Sequence, residues 1–158
     1  MEPRNVFFRA GVGMIIHRDH EVAFFERIKE PGHWQFPQGG MYQGESTKES
    51  MYRELQEETG LREEDVHSCH EVPFLVSYLY PRAVLDSLNN TGSNYIGQTQ
   101  RWFILKLKDG VEIDLRQASD AELSDIKWIK PHQAIDEIIE FKRPEYTQLV
   151  DYFQSYIK

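Results

Sequence analysis

A single cysteine, Cys69, stands in a chain of 158 residues, so an internal disulfide is excluded. A lone thiol fits a reducing compartment and predicts a cytoplasmic setting. Long hydrophobic runs are missing as well. Stretches such as Val12 to Ile16 and Phe103 to Leu105 fall far short of the ~20 apolar residues that span a bilayer. Met1-Glu2-Pro3-Arg4-Asn5 lacks the apolar stretch of a secretory signal, and no membrane partner is expected. Positive charge is scarce: 18 Lys and Arg face 26 Asp and Glu, a net charge of −8. That balance disfavours a protein that coats a nucleic-acid backbone. An acidic chain that binds an anion needs a local basic cluster or bridging cations. There is no repeat, low-complexity tract or linker, so one domain over residues 1–158 is expected.

The elements follow from period and punctuation. Ala10 to His17, rich in Val and Ile, predicts a buried strand, with a turn at Asp19-His20 and a returning strand over Glu21 to Arg27. Lys29-Glu30-Pro31-Gly32 is a loop, and Trp34 to Phe36 a short strand before Pro37. Glu71 to Tyr80, Gln98 to Lys108 and Asp125 to Lys130 are further expected strands. The stretch Pro81 to Gly97, with Asn89-Asn90 and Thr91-Gly92, is expected to be a mobile loop, and Asp109-Gly110 a hairpin turn. Late helices are predicted over Pro131 to Glu140 and Pro144 to Tyr156, the second with Tyr146, Leu149, Val150, Phe153 and Ile157 on one face. Strands interleaved with a few helices predict an α/β fold around a mixed sheet.

The chemistry concentrates in one helix. Ser46 and Glu49 have the spacing of a capping box, and Gly60 can end the helix in the left-handed conformation. At about 100° per residue, Glu54, Glu57 and Glu58 share one stripe, with Met51, Tyr52 and Leu55 on the adjoining docking face. Arg53 borders the stripe one turn before Glu57, where an i,i+4 ion pair is the simplest expectation. Such a stripe is either a solvated acidic face or a cation site. Two features favour the second. The acids lie next to the apolar face, and Phe36-Pro37-Gln38-Gly39-Gly40 precedes the helix as a loop whose glycines let carbonyls approach an ion. Hard divalent cations take such oxygen ligands.

Gly39, five residues, Glu45, seven residues, then Arg53-Glu54-Leu55-x-Glu57-Glu58-x-Gly60-Leu61 resembles the complete signature of the Nudix hydrolases. A chance match of all its positions is on the order of 10⁻¹⁰ per start position. The resemblance implies a Nudix-type α/β/α sandwich and cleavage of a phosphoanhydride in a nucleoside diphosphate derivative, with Mg²⁺ or Mn²⁺ as cofactor. It implies that Glu54, Glu57 and Glu58 ligate the metal with the Gly39 carbonyl, that Arg53 orients a carboxylate, and that Glu45 braces the segment. Glu122, before a strand, is a candidate base or additional ligand, or else an ordinary exposed loop glutamate.

More widely, Trp34-Gln35-Phe36-Pro37-Gln38-Gly39-Gly40, Ile96 to Phe103 and Phe141-Lys142-Arg143 resemble the bacterial RNA pyrophosphohydrolases and the related dinucleoside polyphosphate hydrolases. That resemblance implies a 5′-phosphorylated RNA end, or a nucleotide, as substrate. Arg9, Arg27, Gln98, Ile139, Phe141 and Lys142 would contact it. Unpaired bases stack on aromatic or arginine planes, so Phe141 and Arg27 are candidates for two sides of a sandwich, and Arg9 and Lys142 for the phosphates. Phe141 equally suits a core position, Arg9 and Arg27 ordinary surface charges, and Gln98 a plain strand residue. A dinucleoside polyphosphate or nucleoside triphosphate hydrolase, and a non-catalytic nucleotide-binding regulator on this fold, are the competing readings. A homodimer is the commonest assembly, and the aromatic-rich strands suit an interface. His67-Ser68-Cys69-His70 looks metal-like, but no second ligand cluster accompanies it.

Overall fold

The computed structural model describes residues 5–158, and the part of the N-terminal reading that falls on Met1 to Arg4 lies outside them. The sheet is organised by strand β1, Phe7–Arg18. Its end turns through Asp19 and returns as β2, Glu21–Arg27, while its start pairs with β4, Gln38–Gly40. On its other side β1 runs parallel to β6, Tyr95–Leu107, which pairs antiparallel with β5, Val66–Leu79. β2 carries β3, Trp34–Gln35, and β7, Leu123–Ile129. The result is a mixed seven-stranded sheet with the order β3-β2-β1-β6-β5 and two branches, β4 on β1 and β7 on β2.

Alternation along these strands builds two cores. Val12, Met14 and Ile16 of β1, with Ala23 and Phe25 of β2, point to one face. There Met51 and Leu55 of helix α1, Thr47–Thr59, are fully buried. Ile15, Val22, Phe24, Trp102 and Ile104 point to the other. That face is covered by α3, Pro131–Glu137, and by α4, Arg143–Tyr156, through Ala134, Tyr146, Leu149, Val150 and Phe153. Buried aromatics of this size are worth ~1.5–3 kcal/mol each in transfer free energy. The cluster of Phe24, Phe36, Trp102 and Tyr146, with ring centroids 5.0 to 6.5 Å apart, therefore anchors α4 to the sheet. Helices on both faces of a mixed sheet make the expected α/β/α sandwich. No helix among the described residues is long and apolar enough to cross a membrane.

Three expectations need correction. The Pro81 to Gly97 stretch holds a helix, α2, Arg82–Asn89. Its turn residues act only afterwards, and Val84, Leu85 and Leu88 give the helix a half-buried side. Gln38 to Gly40 is not loop but strand β4, because its backbone pairs with Gly11 to Gly13. Asp109-Gly110 is a turn, yet the chain after it joins no strand, so no hairpin forms. The strands also begin before their apolar cores do: β1 and β6 pair from Phe7 and Tyr95 onward.

Candidate active site

Helix α1 is built as its punctuation demands. The Ser46 hydroxyl accepts from the Glu49 amide, and Gly60 closes the helix at φ 80°, where its N–H donates to the Gln56 carbonyl. The glutamate stripe is not a solvated face. Glu54 and Glu58 are buried, at 8% and 3% exposure. Burial, reinforced by Glu54 and Glu122, pushes the Glu58 carboxyl well above the usual carboxylate range. Glu54 is also raised, by burial and by Glu57 and Glu122, against the opposing pull of Arg53.

Arg53 is more than an i,i+4 partner. Its guanidinium donates to Glu54 at 2.9 Å, Glu57 at 3.0 Å, Glu45 at 2.7 and 3.0 Å, and the Gly40 carbonyl at 2.8 Å. The Tyr42 ring lies beneath it, 3.6 Å from centroid to Cζ. Glu45 is pulled down to about 2, first by Arg53 and then by Ser50 and the Tyr42 amide. This planar fork ties the segment before the helix to two carboxylates on it, which a lysine could not reproduce. β4 lies so close to the helix that a Cβ on Gly39 would run into the Glu54 carboxylate. The strand also touches Glu58, whose Oε2 accepts from the Gln38 amide at 3.2 Å.

The stripe opens into a cleft of about 350 Å³. Glu54, Glu57, Glu58, Asp120 and Glu122 line it, and so do Arg9, Arg27, Gln98 and Lys142. Glu122 is exposed in the loop just before β7 and faces the helix carboxylates across the cleft. The Arg9 guanidinium lies so near Gly40 that a Cβ there would strike it. Arg27 pairs with Glu30 at 2.9 Å. Lys142 is buried at 7% exposure, and that burial, with Arg27 nearby, pulls its ammonium down to about 8. Two expected contacts stand back from the cleft. The half-buried Phe141 ring lies 5.8 Å from Tyr78, and Ile139 is exposed.

The described sequence matches known proteins across almost its whole length. Residues 7–150 match the NUDIX domain family. The chain belongs to the Nudix family. It is 36% identical to Nudix hydrolase 25 of Arabidopsis thaliana, with 95% of this chain and 88% of that protein covered. It is 37% identical to a protein of Shewanella piezotolerans named RNA pyrophosphohydrolase, covering 92% and 84% of the two chains. The Escherichia coli dihydroneopterin triphosphate pyrophosphohydrolase shares the fold, with a TM-score of 0.70, 19% identity, and 94% and 99% of the two chains covered. The Ap4A hydrolase of Caenorhabditis elegans does so with a TM-score of 0.68, 17% identity, and 96% and 100% covered.

As a Nudix hydrolase, the protein acts on pyrophosphate bonds, and the family generally uses divalent metal ions. The donor set fits such an ion: desolvated carboxylates that lack a cation are the ones whose pKa values climb, as Glu54 and Glu58 do. Among the described residues no three acidic, His or Cys side chains already converge on one point, and Arg53 holds Glu54 and Glu57. The metal-like His67 to His70 run lies in β5, where His70 pairs with the Tyr152 hydroxyl at 2.6 Å and stacks on Tyr156. The cleft also holds side chains that the sequence did not single out: Gln35, Gln38, Tyr42 and Asp120. Gln35 and Gln38 bracket Phe36-Pro37 within Trp34 to Gly40, and the family resemblance of that stretch is the one signal that bears on them. Tyr42 and Asp120 carried none.

Proposed function

We propose that this Nudix hydrolase removes phosphates from the 5′ end of tri- or diphosphorylated RNA and leaves a 5′-monophosphate. The observation that carries the reading is one cleft lined by both charge types, the glutamates of α1 with Glu122, and Arg9, Arg27 and Lys142. It reconciles an anionic substrate with a chain of net charge −8. The relatives named RNA pyrophosphohydrolase, from Coxiella burnetii to Shewanella piezotolerans, support the choice of RNA. Glu54, Glu57 and Glu58 would hold Mg²⁺ or Mn²⁺, with Glu122 and the Gly39 carbonyl as further oxygen donors. A bound cation would polarise a substrate phosphate and lower the pKa of water. Arg9 and Lys142 grip phosphate oxygens, Arg53 keeps Glu54 and Glu57 in place, and Glu122, as the alternative to ligating the cation, accepts the proton of the attacking water.

Turnover of triphosphorylated RNA, diadenosine tetraphosphate and GTP at equal concentration tests the substrate. RNA is expected to react fastest. If it reacted slowest, a dinucleoside polyphosphate or free nucleotide would replace it.

Base reading is assigned to Phe141, Ile139 and the Arg27 side chain, the first two standing just outside the cleft. Stacking there requires Phe141 to leave its contact with Tyr78 or to receive the base on its open side. Phe141→Ala is then expected to weaken binding of a 5′ nucleotide by ~1–3 kcal/mol, a normal stacking loss. Unchanged KM and kcat would return Phe141 to packing alone.

A further inference from the structure

Beside the carboxylates, four glutamines and one tryptophan form a continuous chain of hydrogen bonds. The Trp102 indole N–H donates to Gln100 Oε1 at 3.0 Å. Gln100 Nε2 donates to Gln98 Oε1 at 3.0 Å and to Gln38 Oε1 at 2.6 Å. Gln38 Nε2 then donates to Gln35 Oε1 at 3.4 Å. Trp102 and Gln100 are each 1% exposed, so neither can turn to water for a substitute partner.

An amide side chain can flip end for end, but an indole N–H can only donate. Trp102 therefore obliges Gln100 to turn its oxygen inward and its –NH₂ outward. That choice propagates. Gln98 and Gln38 must both accept from Gln100, and Gln35 must accept from Gln38. The two open ends of the chain are then Gln98 Nε2 and Gln35 Nε2. Neither donates to another described residue, and both residues line the cleft. Were Gln100 reversed, two donors would meet at Trp102, and both ends would present carbonyl oxygens instead. Next to Glu54, Glu57, Glu58 and Glu122, carbonyl ends would repel a phosphate, whereas –NH₂ ends attract one.

We propose that Trp102 and Gln100 are positioning residues that fix the polarity of this amide chain, so that Gln98 and Gln35 present N–H donors to substrate phosphate oxygens. The inference rests on the reading of the cleft as a polyphosphate site. It makes Gln35 a substrate contact and gives Gln98 a defined direction. It also explains why the strand bearing the half-buried Gln98 has a fully buried glutamine two residues on, where an apolar residue would pack at no polar cost.

Gln100→Glu keeps the acceptor for Trp102 but removes the donors, so Gln98 and Gln38 turn their –NH₂ groups inward. Trp102→Phe keeps an aromatic ring and removes the instruction. KM for triphosphorylated RNA is expected to rise on the order of 10–100-fold in Gln100→Glu, and less in Trp102→Phe, with kcat changed much less. A purely structural role would lower kcat and the melting temperature together without this split. In the wild-type protein, titration of inorganic pyrophosphate should shift the side-chain –NH₂ resonances of Gln98 and Gln35 in a ¹⁵N–¹H spectrum, a readout independent of how either variant folds. Unmoved resonances, or an unchanged KM in a folded Gln100→Glu protein, would overturn the proposal while RNA turnover left the reading of the cleft standing. Absence of turnover on every polyphosphate would overturn both.

Discussion

Glu58→Gln should all but abolish turnover and yet raise the melting temperature of the cation-free protein. The two effects share one cause. Glu58 is the most deeply buried carboxylate of the cleft, with Glu54 and Glu122 beside it. Its pKa in the folded protein lies above the unfolded value. Between those two values the folded state keeps a proton that the unfolded state has released. Stability therefore falls as pH rises through that window, and above the folded-state pKa the cation-free protein carries the full cost. A glutamine is nearly isosteric. Its oxygen can still accept from the Gln38 amide, and its –NH₂ can face Glu122. The gain should read as a few degrees, at ~2–4 °C per kcal/mol for a chain of this size, and should fade towards pH 4. Adding Mg²⁺ should stabilise the wild type by mass action and the variant far less. Turnover should drop on the order of 10²–10⁴-fold, since the charge stabilisation that a bound cation supplies is worth several kcal/mol. Wild-type kcat in the variant, with an unaltered response to Mg²⁺, would remove Glu58 from the chemistry.

How much of this site was legible beforehand depends on the range of each contact. Helix α1 was readable to the residue because its signals are local: the Ser46 cap, the apolar pair Met51 and Leu55, and the Gly60 stop act within one or two turns. The carboxylate stripe follows from helical geometry alone. What the sequence hides is long-range pairing. Gln38 to Gly40 looks like loop, with two glycines after a proline, and becomes a strand only because β1 offers it a backbone edge. The hydrogen bond between Gln100 and Gln38 joins residues 62 positions apart. Glu122 reaches the cleft because β7 pairs with β2, which no local pattern announces. Arg53 shows the limit well. Its pair with Glu57 is a matter of period, while its bonds to Glu45 and the Gly40 carbonyl depend on how the preceding segment folds back. Helix α2 is hidden for the opposite reason: strong breakers at Asn89 to Gly92 directly follow a short amphipathic stretch and mask its period.

Lys142→Met is the second large effect, and it too trades stability for function. A charged ammonium at 7% exposure, held beside Arg27, is poorly solvated, and its pKa is pulled down to about 8. The unfolded chain holds that proton up to ~10.4. Between about 8 and 10.4 the unfolded state binds the extra proton, so the contribution to stability rises with pH across that window. Below about 8 the cost of burying the charge is fully present, on the order of 3 kcal/mol. Methionine fills the same space without the charge, so the variant should unfold later than the wild type at pH 7, and the difference should shrink as pH climbs past 9. A bound phosphate would add to the counter-charge of Glu30, which in the free protein is shared with Arg27. Substrate therefore stabilises the protonated lysine, and KM in the wild type should rise only above pH 8. In Lys142→Met, KM should be raised on the order of 10–100-fold at neutral pH, the loss of a charged hydrogen bond, and should show no such rise at alkaline pH. A variant that was no more stable would deny the burial cost. A KM equal to that of the wild type at pH 7 would deny the phosphate contact. If both held together, Lys142 would be a bystander to the cleft it lines.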